Sequence, residues 1–153
     1  MKPFVFRLDS ILQLRAREQA RALEIFEHAR QAHHRAGLDL DDARQDLDRI
    51  GQAIAGRRAA GATGNDHVVL LNAAKVWREC CDRLAAILET ARREMEKQGK
   101  LLQVARGKHE AMQKLRDRHR RAHDAAEQRR EENAIGDLIM SRHAMGNHGI
   151  AFQ

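Results

Sequence analysis

Three groups of residues in this chain have types and spacings that could do chemistry. His119 and His123 stand four apart, Asp39, Asp41, Asp42, Asp46 and Asp48 crowd one stretch, and Cys80 adjoins Cys81. Two histidines at i and i+4 share a helix face and can hold a metal ion. No Glu or Asp completes a zincin-like pattern, so a structural or solvated role is expected for them, as for His33 and His34. Paired carboxylates do acid–base work only inside a shielded cleft. On an exposed helix these aspartates are expected instead to answer Arg78 and Arg83 across an antiparallel pair and help fix its register. Neighbouring cysteines on a helix point apart and form no ordinary bridge. They fit a reducing compartment, and Cys80 reads as a small apolar seam residue. With no glycine-rich phosphate loop, no nucleophile beside a base and no zinc-type Cys/His spacing, no enzymatic activity, cofactor or metal is expected.

The elements that would carry these residues are long helices. Leu12, Gln19, Phe26, His33, Leu40, Leu47 and Ile54 recur every seven positions, with Arg15, Ala22, Ala29, Ala36, Ala43 and Ile50 interleaved. Ten of these thirteen are apolar, the narrow stripe of a coiled-coil seam, too thin to fold alone. A second seam reads Val69, Ala73, Val76, Cys80, Leu84, Ile87, Ala91, Met95, Gln98, Leu102, Ala105, His109, Met112, Leu115, His119, Ala122 and Ala126. Its four-residue double steps around Cys80 and Ala91 predict stutters that relax a supercoil.

Between the seams, the Gly- and Asn-containing stretch over 59–66 predicts the one reversal. The expected class is therefore all-α: a long two-helix antiparallel coiled-coil hairpin. Its expected parts are an apolar lead-in over 1–10, helix 1 over 11–58, the turn, helix 2 over 67–142 and a flexible tail over 143–153. Ser10 with Gln13 fits a capping box for helix 1, and Asn65 or Asp66 can cap helix 2. Gly37, Gly51 and Gly56 each cost helix 1 roughly 1 kcal/mol and are expected to bend or fray it. A turn centred near residue 63 pairs position i with about 126 − i. Helix 1 then ends opposite residue 115 or so, and helix 2 overhangs over Arg116–Arg142 with unpaired seam residues beside a basic face.

Composition agrees with that architecture. The 153 residues include 3% aromatics, no Tyr, 33% charged residues and a single Pro. This composition favours helix and disfavours a deep enclosed core. The net charge is +6, and it belongs to Ala91–Arg130, where 13 Lys/Arg face 6 Asp/Glu. Such a stretch suits an acidic protein surface, anionic lipid or nucleic acid, or is simply a solvated face. The lack of aromatic stacking residues near it argues against nucleic acid. Trp77, the only Trp, either projects beside the seam as a protein-binding hot spot or covers the seam edge. The opening MKPFVFRLDS has no signal-peptide core, and no uncharged stretch approaches the ~20 residues of a membrane span. A soluble, cytoplasmic protein is expected.

Phe4-Val5-Phe6-Arg7-Leu8-Asp9-Ser10-Ile11-Leu12-Gln13-Leu14-Arg15 resembles the F-x-F-R-L-x-x-[IVL]-L-x-L-R opening of the FliJ family of flagellar export proteins. Lys114-Leu115-Arg116-Asp117-Arg118 resembles its late K-L-x-x-R segment, and Glu131 to Leu138 approximates its E-x-x-x-L-D-E type ending. The resemblance implies a non-enzymatic stalk of the flagellar type III export apparatus. Its paired helix ends would sit in the hexameric export ATPase and promote its assembly and activity, while the rod couples the ring to the transmembrane export gate. It implies a cytoplasmic location, peripheral at the inner membrane, with substrate-specific export chaperones as further partners. Carried to this chain, the expected ATPase-binding residues are Phe4, Phe6, Leu8, Leu12, Arg118, Arg120 and Arg121. The expected gate-binding residues are Val76, Trp77, Cys80 and Leu84. A coiled-coil scaffold that self-associates, and a basic helical binder of nucleic acid or membrane surface, are the alternatives that the residues leave open.

Overall fold

The computed structural model describes residues 3–61 and 64–147. It contains two helices, α1 (Asp9–Ala59) and α2 (Gly64–Asn147), and no strand among the described residues. The chain is an all-α helical hairpin with closely packed helices. It divides into two compact units, residues 18–106 and residues 1–17 with 107–153.

In the unit 18–106, Ala36, Leu40, Ala43, Ala74 and Leu102 form the buried core. A seam between only two helices leaves most large side chains partly wet, and no described side chain is fully enclosed. Phe26 packs over Gly99, where an added Cβ would lie 3.4 Å from the ring, and Gly37 faces Leu88 at 4.0 Å. Both contacts fall within a residue or so of the 126 − i register. Near the turn, Arg57 lies 3.6 Å from Asp66 and Arg58 donates to His67 at 3.1 Å. The chain leaves α1 through Gly61, whose φ of 72° is the left-handed conformation that glycine adopts without strain.

All thirteen expected seam positions of α1 are buried or half-buried. On α2 the seam differs from the expectation. Val69, Val76 and Ile87 are exposed, and Leu70, Ala74, Trp77, Cys81 and Leu88 turn toward α1 in and around their places. The inward positions then step strictly by four and three, from Leu70 and Ala74 through Trp77, Cys81, Leu84, Leu88, Ala91 and Met95 to Leu102 and His109. The predicted stutters vanish. Apolar neighbours stand side by side at 69–70, 76–77 and 87–88, so the sequence pattern is ambiguous by one residue. At 69–70 and 76–77 the structure turns the larger Leu or Trp inward and leaves Val outside, which removes more apolar area from water, and the same register then carries Leu88 inward and Ile87 outward.

The aspartates also differ from expectation. Asp46 pairs with Arg49 at 2.9 Å and Asp41 with Arg44 at 3.7 Å, both along α1. No ion pair joins them to Arg78 or Arg83 among the described residues. A short Asp side chain reaches its i+3 neighbour on the same helix more readily than a cation across the seam. Along α2, Glu89 accepts from Arg92 and Arg93 at 2.9 Å each, and Arg92 reaches Glu96 at 3.0 Å. Hydrogen bonds from Arg92, then Arg93, hold the Glu89 carboxyl down to about 2, and the Arg92 guanidinium is pushed up by the same pairing.

Helix boundaries differ by a few residues. α1 starts at Asp9, ahead of Ser10: the Leu8 carbonyl accepts the first helical bond, from Leu12 N at 3.0 Å, and Gln13 pairs with Asp9 at 2.7 Å. Asp9 favours that end because a carboxylate suits the positive pole of the helix. α1 passes Gly37, Gly51 and Gly56 without interruption, and Asn65 and Asp66 lie inside α2 rather than before it. α2 continues to Asn147, five residues past the expected end. The rest of the expected tail, from His148, lies outside the described residues.

Candidate partner-docking surfaces

In the unit of 1–17 with 107–153, the lead-in folds back on α2. Side chains of an extended segment alternate sides, and here Phe4 and Phe6 turn in while Val5 is 76% exposed. Phe6, 8% exposed, meets His119 edge-on with ring centroids 5.8 Å apart. Phe4 meets His123 at 5.6 Å and stacks near Phe6 at 6.5 Å. Asp9 N donates to the Phe6 carbonyl at 3.1 Å, closing the segment onto the helix start. Such ring pairs prefer edge contacts at these distances. His119 and His123 thus serve as a platform for phenylalanines, and no group of three metal-ligating side chains exists among the described residues.

α2 outruns α1 as expected, and the clasp occupies only the first part of the expected overhang, leaving 128–143 exposed. Past Arg116 the lead-in rests on His119 and His123, most of the neighbouring residues stay exposed, and Glu127 is buried and pairs with Arg130 at 2.6 Å. Ala122 and Ala126, expected on the seam, are exposed, and Arg116 and His123 face inward instead.

The expected ATPase-binding residues separate into two sets. Phe6 and Leu12 are buried and Phe4 and Leu8 half-buried, so they hold the end together more than they present it. Arg118, Arg120 and Arg121 are exposed but do not share one face. Arg118 and Arg121 line an open groove with Lys114 and Asp117. Lys114, Arg118 and Arg121 follow the i, i+4, i+7 spacing of one helix face, and none of the three has an ion pair among the described residues. Arg120 lies apart, beside Phe4, Val5, Phe6, Asp9 and Arg116 in a second groove, 4.0 Å from Asp124. Lys114 completes the cationic stripe and was missed by sequence reasoning, although its helical spacing to Arg118 was visible there.

The expected gate residues lie in the unit 18–106. Trp77, Cys80 and Leu84 are half-buried, and Trp77 covers the seam rather than projecting from it. Val76 alone of the four is well exposed, at 59%. Its outward neighbours at helical spacing are Val69 and Ile87, with Cys80 at the edge. These make an apolar stripe along the flank of early α2 that assignment to the seam had hidden.

Among the described residues no helix is long and apolar enough to cross a membrane. A family model described as "Flagellar FliJ protein" matches residues 4–147. No curated protein and no solved structure matches the chain.

Proposed function

Because the chain belongs to the FliJ family, non-catalytic components of the flagellar export apparatus, we propose that it acts as the stalk of the export ATPase. The unit bearing the lead-in enters the hexamer, and the Lys114–Arg118–Arg121 stripe meets carboxylates lining the ring. The observation that carries this reading is the stripe itself: three exposed cations on one face with no ion pair among the described residues, beside a termini-bearing end fixed by the aromatic clasp. Charge of this kind steers association and sets orientation. The flank Val69, Val76 and Ile87 contacts the membrane export gate, and the ion pairs around Glu89 stiffen α2 within the unit 18–106.

The test is ATP hydrolysis and hexamer assembly by the cognate export ATPase, with the full chain, with Arg118→Glu/Arg121→Glu, and with Arg35→Glu as a charge control on α1. The full chain and the control are expected to promote both, and the double variant to promote neither. Equal promotion by all three refutes the role given to the stripe. Absence of any binding by the full chain refutes the stalk reading.

A further inference from the structure

Past Glu127, α2 carries a second apolar stripe that the hairpin does not use. Every residue from 128 to 143 is exposed. Continuing the inward heptad through this stretch gives Arg130, Asn133, Asp137 and Met140, a mostly polar series. The apolar residues stand on a different face: Ile135, Leu138 (63% exposed) and Ile139, with Glu131 one turn before and Arg142 one turn after. They are therefore no remnant of the seam with α1.

The two ends of this stripe differ in charge. Glu131 and Glu132 mark one end and Arg142 the other, with the His143 imidazole, a hydrogen-bonding ring, beside it. None of the four takes part in an ion pair among the described residues, in a chain that forms such pairs freely elsewhere along its helices. A helix face that runs acid, apolar, base is complementary to itself when reversed. Pairing two copies about residue 137 sets Ile135 against Ile139 and Glu132 against Arg142, with Glu131 beside His143, each twice by symmetry. A parallel pair would place acid on acid and base on base, which costs rather than stabilises.

We infer that the occupant of this stripe is a second copy of the chain, docked antiparallel through residues 131–143. The segment is about 20 Å long and its apolar centre is three residues per copy. The interface is smaller than the roughly 1,200 Å² at which specific complexes become durable. It therefore forms and dissolves with concentration, with a Kd of about 100 µM. The inference stands independently of the stalk reading, since it concerns residues that the cationic stripe does not include.

Sedimentation of the full chain from about 10 µM to 1 mM, a range that brackets the expected Kd, tests it, with helicity followed by circular dichroism. Wild type is expected to pass from monomer to dimer, and Leu138→Glu to remain monomeric at unchanged helicity. Glu131→Lys/Glu132→Lys and Arg142→Glu/His143→Glu are each expected to weaken association about tenfold or more. The four changes combined restore it, because the swapped charges again meet opposite signs across the antiparallel pair. A wild type that stays monomeric to 1 mM overturns the inference, and the face then serves another partner. A dimer that survives Leu138→Glu uses a different surface and overturns it equally. Failure of the combined swap to restore association means that the copies are not antiparallel.

Discussion

Phe6→Ala isolates the clasp. The side chain is 8% exposed and sits edge-on to His119. Burying a phenylalanine contributes about 1.5–3 kcal/mol, and the edge-on ring pair about 0.5–1.5 kcal/mol more. The lead-in is a short extended segment held by few groups, so the loss falls on local detachment rather than on the seam of residues 18–106. A loss of about 2–4.5 kcal/mol raises the open population of the lead-in about 30- to 1,600-fold. Two assays read that population. Trypsin cleavage after exposed Arg7 requires the segment to lift off, and exchange of the Asp9 amide requires its 3.1 Å bond to the Phe6 carbonyl to open. Both rates rise by that factor while the thermal midpoint of the seam moves little. If both rates stay within about threefold of wild type, Phe6 does not hold the lead-in. If the seam melts in step with the clasp, the lead-in belongs to the same cooperative core and the argument for local detachment fails.

Two further outcomes follow from the unit 18–106. Gly99→Ala places a methyl group at ordinary contact distance from Phe26, 3.4 Å, and restores helix propensity. It is expected to stabilise by about 0.5–1 kcal/mol, seen as a higher denaturation midpoint, whereas Gly99→Leu displaces the ring and lowers it. Glu89 is held at about 2 against an ordinary 4.5. A depressed carboxylate contributes stability that is fully present above 4.5 and is lost as the pH falls toward 2. Carbon-detected titration of the Glu89 carboxyl should show a midpoint near 2, and Arg92→Gln should raise it. A midpoint at the ordinary value would show that the two arginines do not hold it in solution, and added salt should weaken the effect because the pair is open to solvent.

The fold was legible because it rests on repetition. A seven-residue repeat over α1, one glycine-bearing turn and a single Pro left few arrangements open, and the register followed from counting back from the turn. The face of α2 near the turn was not legible. Wherever two apolar residues adjoin, as at Val76 and Trp77, a helical repeat admits either, and only the partner helix decides by volume. At the end proposed to dock, only the exposure of the charges was legible. Arg118 and Arg121 were visible as exposed charge, but Arg120 belongs with Phe4 on another face, and runs of arginine in a sequence do not announce which of them share a side. Nor did the motif reveal that its phenylalanines would be occupied by the chain's own histidines. That depends on an extended segment folding back, and no periodicity encodes it.

The clasp also has a place in time. Near the turn, Arg58 and His67 are nine residues apart in sequence, and closing such a loop is fast and entropically cheap. Phe4 and His123 are separated by about 120 residues, and bringing them together first would cost far more chain entropy. Folding therefore begins at the turn and zips away from it, each pair of turns shortening the loop that the next must close. The aromatic contacts form last and are absent from the folding transition state. Changes in Phe4, Phe6, His119 or His123 accordingly alter how fast the lead-in comes away while leaving the folding rate of the hairpin almost untouched.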